Sequence, residues 1–327
     1  MDQRNVRLSS EDSSEDIKTY LKRAFIYRES LGLKTNAMRL VNSQGDGLQG
    51  LIIDRFNKHF AVYFLDAGWQ PHQGMISDVL CEHFEVVYLV FKDHSAGDAS
   101  RIKIDVTIEK EDSQTIVEEN DVRIHVNLND NLNQGLFMDM RSNRQLVAAY
   151  AQGRTVLNCF AYTCSFGVYC RRFGAASVTN VDISPKFLQK GRENYLLNQL
   201  SEQRSEFVRE NAVRYLERAA KRNDLFDIII LDPPSFSRFE GKVFSVKKDM
   251  LMLIEKAFRV LAGKGLLFVS TNLSLISHSR LEEWARMAAK KTERKIIEKN
   301  DLGQDVDFRG SGLMKESCLS AVLFKIA

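Results

Sequence analysis

The sequence is poor in the residues that build disulfide frameworks, metal centres and membrane spans. Its 5 cysteines, Cys81, Cys159, Cys164, Cys170 and Cys318, are odd in number and lack metal-ligand spacing. They read as reduced, mostly buried thiols. The 6 histidines show neither an HExxH arrangement nor paired spacing, so no metal site is expected. Proline is scarce: of 4 in the chain, two stand together as Pro233-Pro234. No apolar run approaches the length of a membrane span. Residues 1–15 are polar and rich in acid, without the basic start and apolar middle of a signal peptide. A cytoplasmic chain without a membrane partner is therefore expected. An excess of one charge is also missing, because 46 Lys and Arg face 43 Asp and Glu. The resulting +3 permits RNA binding but is no dedicated nucleic-acid footprint.

Core-forming material is abundant, with 44% hydrophobic residues in a chain of 327, enough for two domains. Residues 1–36 read as a tail and a helix. The Ser-, Asp- and Glu-rich stretch 1–16 is expected to be disordered, and the spacing of Tyr20, Leu21, Ala24 and Phe25 predicts a helix over 17–31. Residues 37–127 read as a small α/β domain, a possible RNA-contacting one. It has strands near 39–41, 51–55 and 60–64, a turn at Gly45-Asp46-Gly47, a helix over 72–82, and strands over 86–91, 105–109 and 122–126. The Asn- and Asp-rich segment 127–133 marks a boundary, leaving 128–327 as the larger domain.

In that larger domain strands and helices alternate as in a doubly wound α/β sheet. Strands are predicted at 155–160, 177–181, 207–209, 226–231 and 265–270, with a final pair at 294–298 and 319–325. Seven strands ending in such a pair suit a Rossmann-like class I methyltransferase fold. Ligands of such sheets bind at the carboxyl ends of the strands. Directly after the apolar run 226–231 comes Asp232-Pro233-Pro234-Ser235-Phe236. Proline cannot continue a strand, so the backbone turns and leaves carbonyl groups that a flat, hydrogen-bonding ligand such as a nucleobase can use. The competing reading is a plain strand-ending turn.

The first three strand ends offer a cofactor site. The first strand runs into Asn158-Cys159-Phe160-Ala161-Tyr162-Thr163-Cys164-Ser165-Phe166-Gly167, a turn opening a helix whose free amides can hold a carboxylate. With Gly167 its only glycine, it is not a diphosphate cradle of the Gly-x-Gly-x-x-Gly kind. Asp182 ends the second strand, placed to accept from two ribose hydroxyls, while Ser184 before Pro185 suits a helix cap. Asn211, after the third strand, suits either an adenine amino group or an N-cap.

The whole pattern resembles the bacterial 23S rRNA large-subunit methyltransferases that use S-adenosylmethionine. The likeness rests on Arg39-Leu40-Val41-Asn42, Gly45 to Leu48 and Gly50 to Arg55. It continues with Gly135-Leu136-Phe137-Met138-Asp139-Met140-Arg141, Asn143-Arg144, Asn158 to Gly167, Val181-Asp182-Ile183-Ser184, Asn194 with Asn198, and Asp232 to Phe236. It implies S-adenosyl-L-methionine as cofactor. Phe137, Asp139 and Arg141 would border the cofactor or the mouth of the site, and Asn158, Phe160, Tyr162, Thr163, Asp182, Ile183, Asn211 and Asp232 would line it. An ion pair between domains is the alternative for Asp139 and Arg141. Asp232, Pro233, Pro234 and Phe236 would present the base, with Phe236 stacking on it unless it is a core residue.

Departures from the family narrow the target. Many members begin with an RNA-binding PUA domain, and the stretch before Arg39 is too short for one. Members that methylate carbon 5 of cytosine carry a cysteine just after the fifth strand, where this chain reads Val269-Ser270-Thr271-Asn272-Leu273-Ser274. Carbon 5 is a poor nucleophile that needs a thiolate adduct at carbon 6, whereas N7 of guanine has an in-plane lone pair and loses no proton. Asp232 to Ser237, Phe244-x-Val246-x-x-Asp249 and Phe268-x-Ser270-x-Asn272 are similar to the guanine-N7 domain of the bifunctional large-subunit rRNA methyltransferase. N7 of a 23S rRNA guanine is thus the leading target, with an exocyclic amine behind it. Cytosine-C5 methylation and a vestigial cofactor-binding RNA-interaction factor are the rivals. Lys242, Lys247 and Lys248, with Arg238 and Phe239, form a candidate RNA surface, while Lys290, Lys291, Arg294 and Lys295 read as a solvated helix end. The expected partner is rRNA or a ribosomal assembly intermediate; a homodimer stays open.

Overall fold

Period-two alternation gives the N-terminal strands one apolar face and one mixed face, and both are packed. The computed structural model describes residues 12–97, 102–130, 134–202, 206–239, 242–310 and 319–327. The chain divides into two units, Met1–Asp139 with Asp305–Glu316, and Met140–Gln304 with Ser317–Ala327. In the first, α1 (Ser14–Ser30) precedes β1 (Ala37–Asn42), β2 (Leu51–Phe56), β3 (His59–Phe64), α2 (Gln73–His83), β4 (Tyr88–Asp93) and β5 (Lys103–Glu109). The strands form one sheet in sequence order, with β3 and β4 parallel and the other pairs antiparallel. A separate hairpin joins β6 (Gln114–Glu119) and β7 (Val122–Asn127).

Phe60, Val62, Phe64, Leu89 and Phe91 meet Ile17, Leu21 and Phe25 of α1 and Ile76 and Leu80 of α2 in one core. The other face mixes apolar Phe56, Ala61 and Val90 with polar residues. Arg39 holds Asp54 in a bidentate pair at 2.7 and 3.0 Å, the Tyr63 hydroxyl accepts from Gln134 at 2.6 Å, and the Lys92 ammonium donates to the Asp130 carbonyl at 2.8 Å. Burial pulls the Lys92 pKa down to about 8, against the opposing pull of Asp130 and Asp54.

The second unit contains α3 (Arg141–Ala149), β8 (Thr155–Cys159), α4 (Ser165–Arg172), β9 (Ser177–Asp182), α5 (Pro185–Leu197), β10 (Phe207–Arg209), α6 (Ala212–Arg222) and β11 (Phe226–Leu231). A short hairpin of β12 (Phe236–Phe239) and β13 (Lys242–Ser245) follows, then α7 (Val246–Val260), β14 (Leu261–Thr271), α8 (His278–Lys291), β15 (Ile296–Leu302) and β16 (Ser320–Ile326). The sheet has 7 strands in the order β10-β9-β8-β11-β14-β16-β15. Only β16 runs antiparallel to its neighbours β14 and β15. This is the Rossmann-like class I methyltransferase arrangement. The strand order reverses between β8 and β11, the switch point where such sheets bind ligands.

Several boundaries differ from the sequence reading. The first helix starts at Ser14 rather than 17, because Ser13 caps it through the Asp16 amide and Glu15 and Asp16 suit the positive end of its dipole. Residues 1–11 of the expected tail, 131–133 of the expected linker and Cys318 lie outside the described residues. The first unit extends to Asp139 instead of ending at 127. Gln134 bonds to Tyr63, and Gly135, at φ 117°, lies where a Cβ would come within 2.6 Å of the His125 carbonyl oxygen. Residues 305–310, far along the chain, also pack there: the Arg39 amide donates to Asp307 Oδ2 at 2.9 Å, and its guanidinium lies 4.4 Å from the Phe308 ring centre. Strand β6, the β12–β13 hairpin and α3 were not anticipated.

Arg28 ties these pieces of the first unit together. Fully buried, it pairs with Asp46 and donates to the carbonyls of Arg39 at 2.9 Å and Asp307 at 2.7 Å. Arg28→Ala would leave the Asp46 carboxylate buried without its partner, so it is expected to destabilise the unit by about 3–5 kcal/mol. A denaturant midpoint lowered accordingly would bear this out, and an unchanged midpoint would refute it.

Candidate cofactor and base site

Register brings the strand ends into line. Cys159 of β8 pairs with Val181 of β9 on one side and Leu231 of β11 on the other, and Leu231 pairs with Val269 of β14. The residues one step further on, Asp182, Phe160, Asp232 and Ser270, therefore form a rim across the switch point. Asp182, Phe160 and Asp232 are half-buried there, while Ser270 is fully buried.

The turn after β8 has a distinctive backbone. Phe160, Tyr162 and Cys164 have φ of 59°, 50° and 63°, with Ala161 and Thr163 between them outside the positive range. Such non-glycine residues are strained by about 1–3 kcal/mol each and gather at binding sites. The Cys164 amide closes the turn on Ala161 O at 2.7 Å, and helix α4, whose first-turn amides suit a carboxylate, opens directly after it. The turn is held from several sides: the Ala161 amide donates to Val181 O at 3.1 Å, and Asn194 Nδ2 donates to Thr163 O at 3.1 Å. Asn198 in turn bonds to the Asn194 carbonyl at 2.7 Å, which gives this asparagine pair a role in shaping the turn.

Asp182 accepts from the Tyr162 amide at 2.9 Å and the Ser184 amide at 2.8 Å. Each oxygen thus keeps acceptor capacity for a hydroxyl, as a ribose diol needs. Burial raises the Asp182 pKa, more than these amide bonds lower it. Ser184 caps α5 through the Phe187 amide, so the cap and the carboxylate are separate residues. Tyr162 packs edge-on against Phe187, ring centres 4.6 Å apart, and Phe160 packs against Phe244 at 5.7 Å. Ile183 is half-buried beside Asp182, and Thr163 is fully buried.

Asn158 lies deeper. It is buried and donates to Asn180 Oδ1 at 2.9 Å, and a Cβ on Gly167 would stand 2.2 Å from that same oxygen. The Asn158–Asn180 pair therefore needs glycine at 167 and sets how closely α4 approaches the sheet. Asn211 caps α6, its Oδ1 accepting from the Val213 and Arg214 amides at 3.0 and 3.2 Å. Both lone pairs that an adenine amino group would use are taken by that cap. Phe137, in the first unit, is exposed. Asp139 is half-buried there and accepts from the Asp305 amide at 3.0 Å through its backbone carbonyl, and Arg141 begins α3 of the second unit, buried.

Around the Asp-Pro-Pro segment two side chains of β14 and the residues just after it were missed as partners. Ser270 Oγ donates to Asp232 Oδ1 at 2.7 Å, and Ser235 Oγ donates to Asn272 Oδ1 at 2.8 Å. Pro233 is buried, Pro234 exposed, and Phe236 is 56% exposed, which sets aside the reading of Phe236 as core. Among the described residues the thiols of this unit are poor nucleophiles: Cys159, Cys164 and Cys170 are buried, which pushes all three pKa values up, that of Cys170 to about 12. Cys81 is on α2 of the first unit. Among the described residues no cluster of His, Cys, Asp and Glu could hold a metal ion, and no helix is long and apolar enough to cross a membrane.

Residues 88–316 match the family model described as S-adenosylmethionine-dependent methyltransferase. The protein named putative ribosomal RNA large subunit methyltransferase YwbD, of Bacillus subtilis, is 31% identical over 277 residues, covering 83% of this chain and 70% of its own length. Ribosomal RNA large subunit methyltransferase I of Aeromonas hydrophila is 33% identical over 261 residues, covering 77% of this chain and 64% of its own length. The crystal structure of SMU.776 complexed with SAH superposes with a TM-score of 0.85 at 25% identity, covering 97% of this chain and 82% of that one. S-adenosyl-L-methionine is the cofactor these likenesses support, and the Asp182 carboxylate with the strained turn fits its ribose and methionyl ends. Asp182→Ala is expected to weaken its binding about 10- to 100-fold, the worth of hydrogen bonds to a charged group. In the unchanged protein, titration calorimetry should show affinity falling on acidification at a higher pH than an exposed aspartate would give, since burial raises the Asp182 pKa. Unchanged affinity in the variant would remove Asp182 from the site. Strand order, strand-end chemistry and the family match agree: the chain belongs to the S-adenosylmethionine-dependent methyltransferases.

Proposed function

We propose that this enzyme methylates a base nitrogen of 23S rRNA, N7 of a guanine, in the cytoplasm. The observation that carries the reading is the composition of the rim: beside Asp232 stands the hydroxyl of Ser270, and Cys159, Cys164 and Cys170, the thiols of the unit among the described residues, are buried with raised pKa values. Pyrimidine carbon 5 needs a thiolate adduct, whereas guanine N7 attacks with a lone pair already in the ring plane. The bound cofactor supplies an electrophilic methyl group. What the chain has to supply is alignment, and a field suited to the positive charge that appears on the base.

Asp232 and the backbone carbonyls of the Asp-Pro-Pro segment are acceptors for the N–H groups of a purine edge. The exposed Phe236 ring offers a stacking surface, as enzymes that act on an extruded base use. Lys247 and Lys248, exposed in the first turn of α7, sit where a helix dipole disfavours cations, and phosphate contact gives that placement a purpose. The likeness to ribosomal RNA large subunit methyltransferases supports rRNA as the substrate class.

The test is reconstitution with labelled S-adenosylmethionine and large-subunit rRNA from cells lacking the protein, followed by nucleoside mass spectrometry. Labelled 7-methylguanosine is expected, and Asp232→Ala should abolish its formation while cofactor affinity stays within about twofold, since Asp232 is assigned to the base. Labelled 5-methylcytidine would overturn the N7 assignment, and RNA binding without any transfer would favour a non-catalytic RNA-interaction factor.

A further inference from the structure

We propose that Ser270 is a positioning residue that fixes the Asp232 carboxylate for methyl transfer, an inference that rests on the role of Asp232 given above. Leu231 pairs with Val269, so Asp232 and Ser270 leave neighbouring strands side by side. Ser270 is fully buried, and its Oγ lies 2.7 Å from Asp232 Oδ1 and 3.4 Å from Leu231 O. A hydroxyl has one proton to give, and the carboxylate is both nearer and the stronger acceptor. The bond restrains rotation of the carboxylate.

Two residues further along the same strand direction, Asn272 Oδ1 accepts from Ser235 Oγ at 2.8 Å. The Asp-Pro-Pro-Ser segment is therefore pinned at both ends, Asp232 to Ser270 and Ser235 to Asn272. Between the pins lie only Pro233 and Pro234, whose φ angles are fixed by their rings. A segment tied at each end and stiff in the middle has its acceptors in place before the base arrives. The strand partner of the motif thus sets the geometry of the acceptors, not merely the packing below them. Displacement of a positioned group by about 1 Å can cost about 100-fold in rate.

Ser270→Ala removes one oxygen from the buried site and should fold. Its kcat, measured with labelled S-adenosylmethionine and rRNA from cells lacking the protein, is expected to fall about 10- to 100-fold, while cofactor Kd stays within about twofold. Ser270→Thr, which keeps the hydroxyl, should recover most of the rate. Asp232→Asn, made alongside, separates the two levels of the argument. If Asp232→Asn is impaired but Ser270→Ala is not, or if a folded Ser270→Thr is as slow as Ser270→Ala, the positioning role is overturned and the role of Asp232 stands. If Asp232→Asn keeps full rate, the reading of Asp232 fails and this inference with it.

Discussion

The functional end of this molecule depends on the shared register of β9, β8, β11 and β14. Val181, Cys159, Leu231 and Val269 are cross-strand partners in one line, so the next residues, Asp182, Phe160, Asp232 and Ser270, emerge together. A slip of one residue on β11 would turn the whole strand to its other face and carry Asp232 away from Ser270. Burial of Ile228, Ile229, Ile230 and Leu231 holds the strand in the sheet, and at its other end Asp227 accepts from the Thr155 amide and hydroxyl, both at 2.9 Å, which ties β11 to β8 in register. A polar pair at one end of the strands thereby helps decide which polar groups meet at the other.

Above that line the site is built from fixed groups rather than adaptable ones. Asp182 is held by two backbone amides, the turn from Phe160 to Cys164 stores backbone strain, and the Asp-Pro-Pro segment is stiffened by its prolines and pinned by two hydroxyls. This is the arrangement expected of an enzyme that works by alignment, where the cofactor brings the reactive group and the protein brings geometry. Cys159 and Cys164 belong to the core, where burial keeps them neutral and unreactive.

Much of this was legible along the chain, because strand ends announce themselves locally. The apolar run before Asp232, the proline pair after it, and Asp182 ahead of Ser184-Pro185 are short-range signals of sheet, turn and helix cap. Groups that act across the sheet were not legible in the same way. Ser270 is one serine in an apolar strand, and only register shows that its hydroxyl meets Asp232. Residues 305–310 belong to the first unit through Arg28, Arg39 and Asn42, partners more than 260 residues away in sequence. Asn211 carried two readings, and the geometry of α6 shows the cap. Strand β6 escaped because Gln114 to Glu119 alternates polar residues with few large apolar ones, leaving its pairing with β7 to define it.

The central claim, that methyl transfer here proceeds by alignment on a base nitrogen without a thiol adduct, has a direct chemical test. A carbon-5 methyltransferase is trapped as a covalent complex by RNA containing 5-fluorocytidine, because the fluorine cannot leave as a proton does. Incubation of the enzyme with S-adenosylmethionine and 5-fluorocytidine-substituted rRNA, followed by a denaturing gel, should show methyl groups entering guanine and no protein–RNA adduct. A cofactor-dependent covalent adduct would contradict the account.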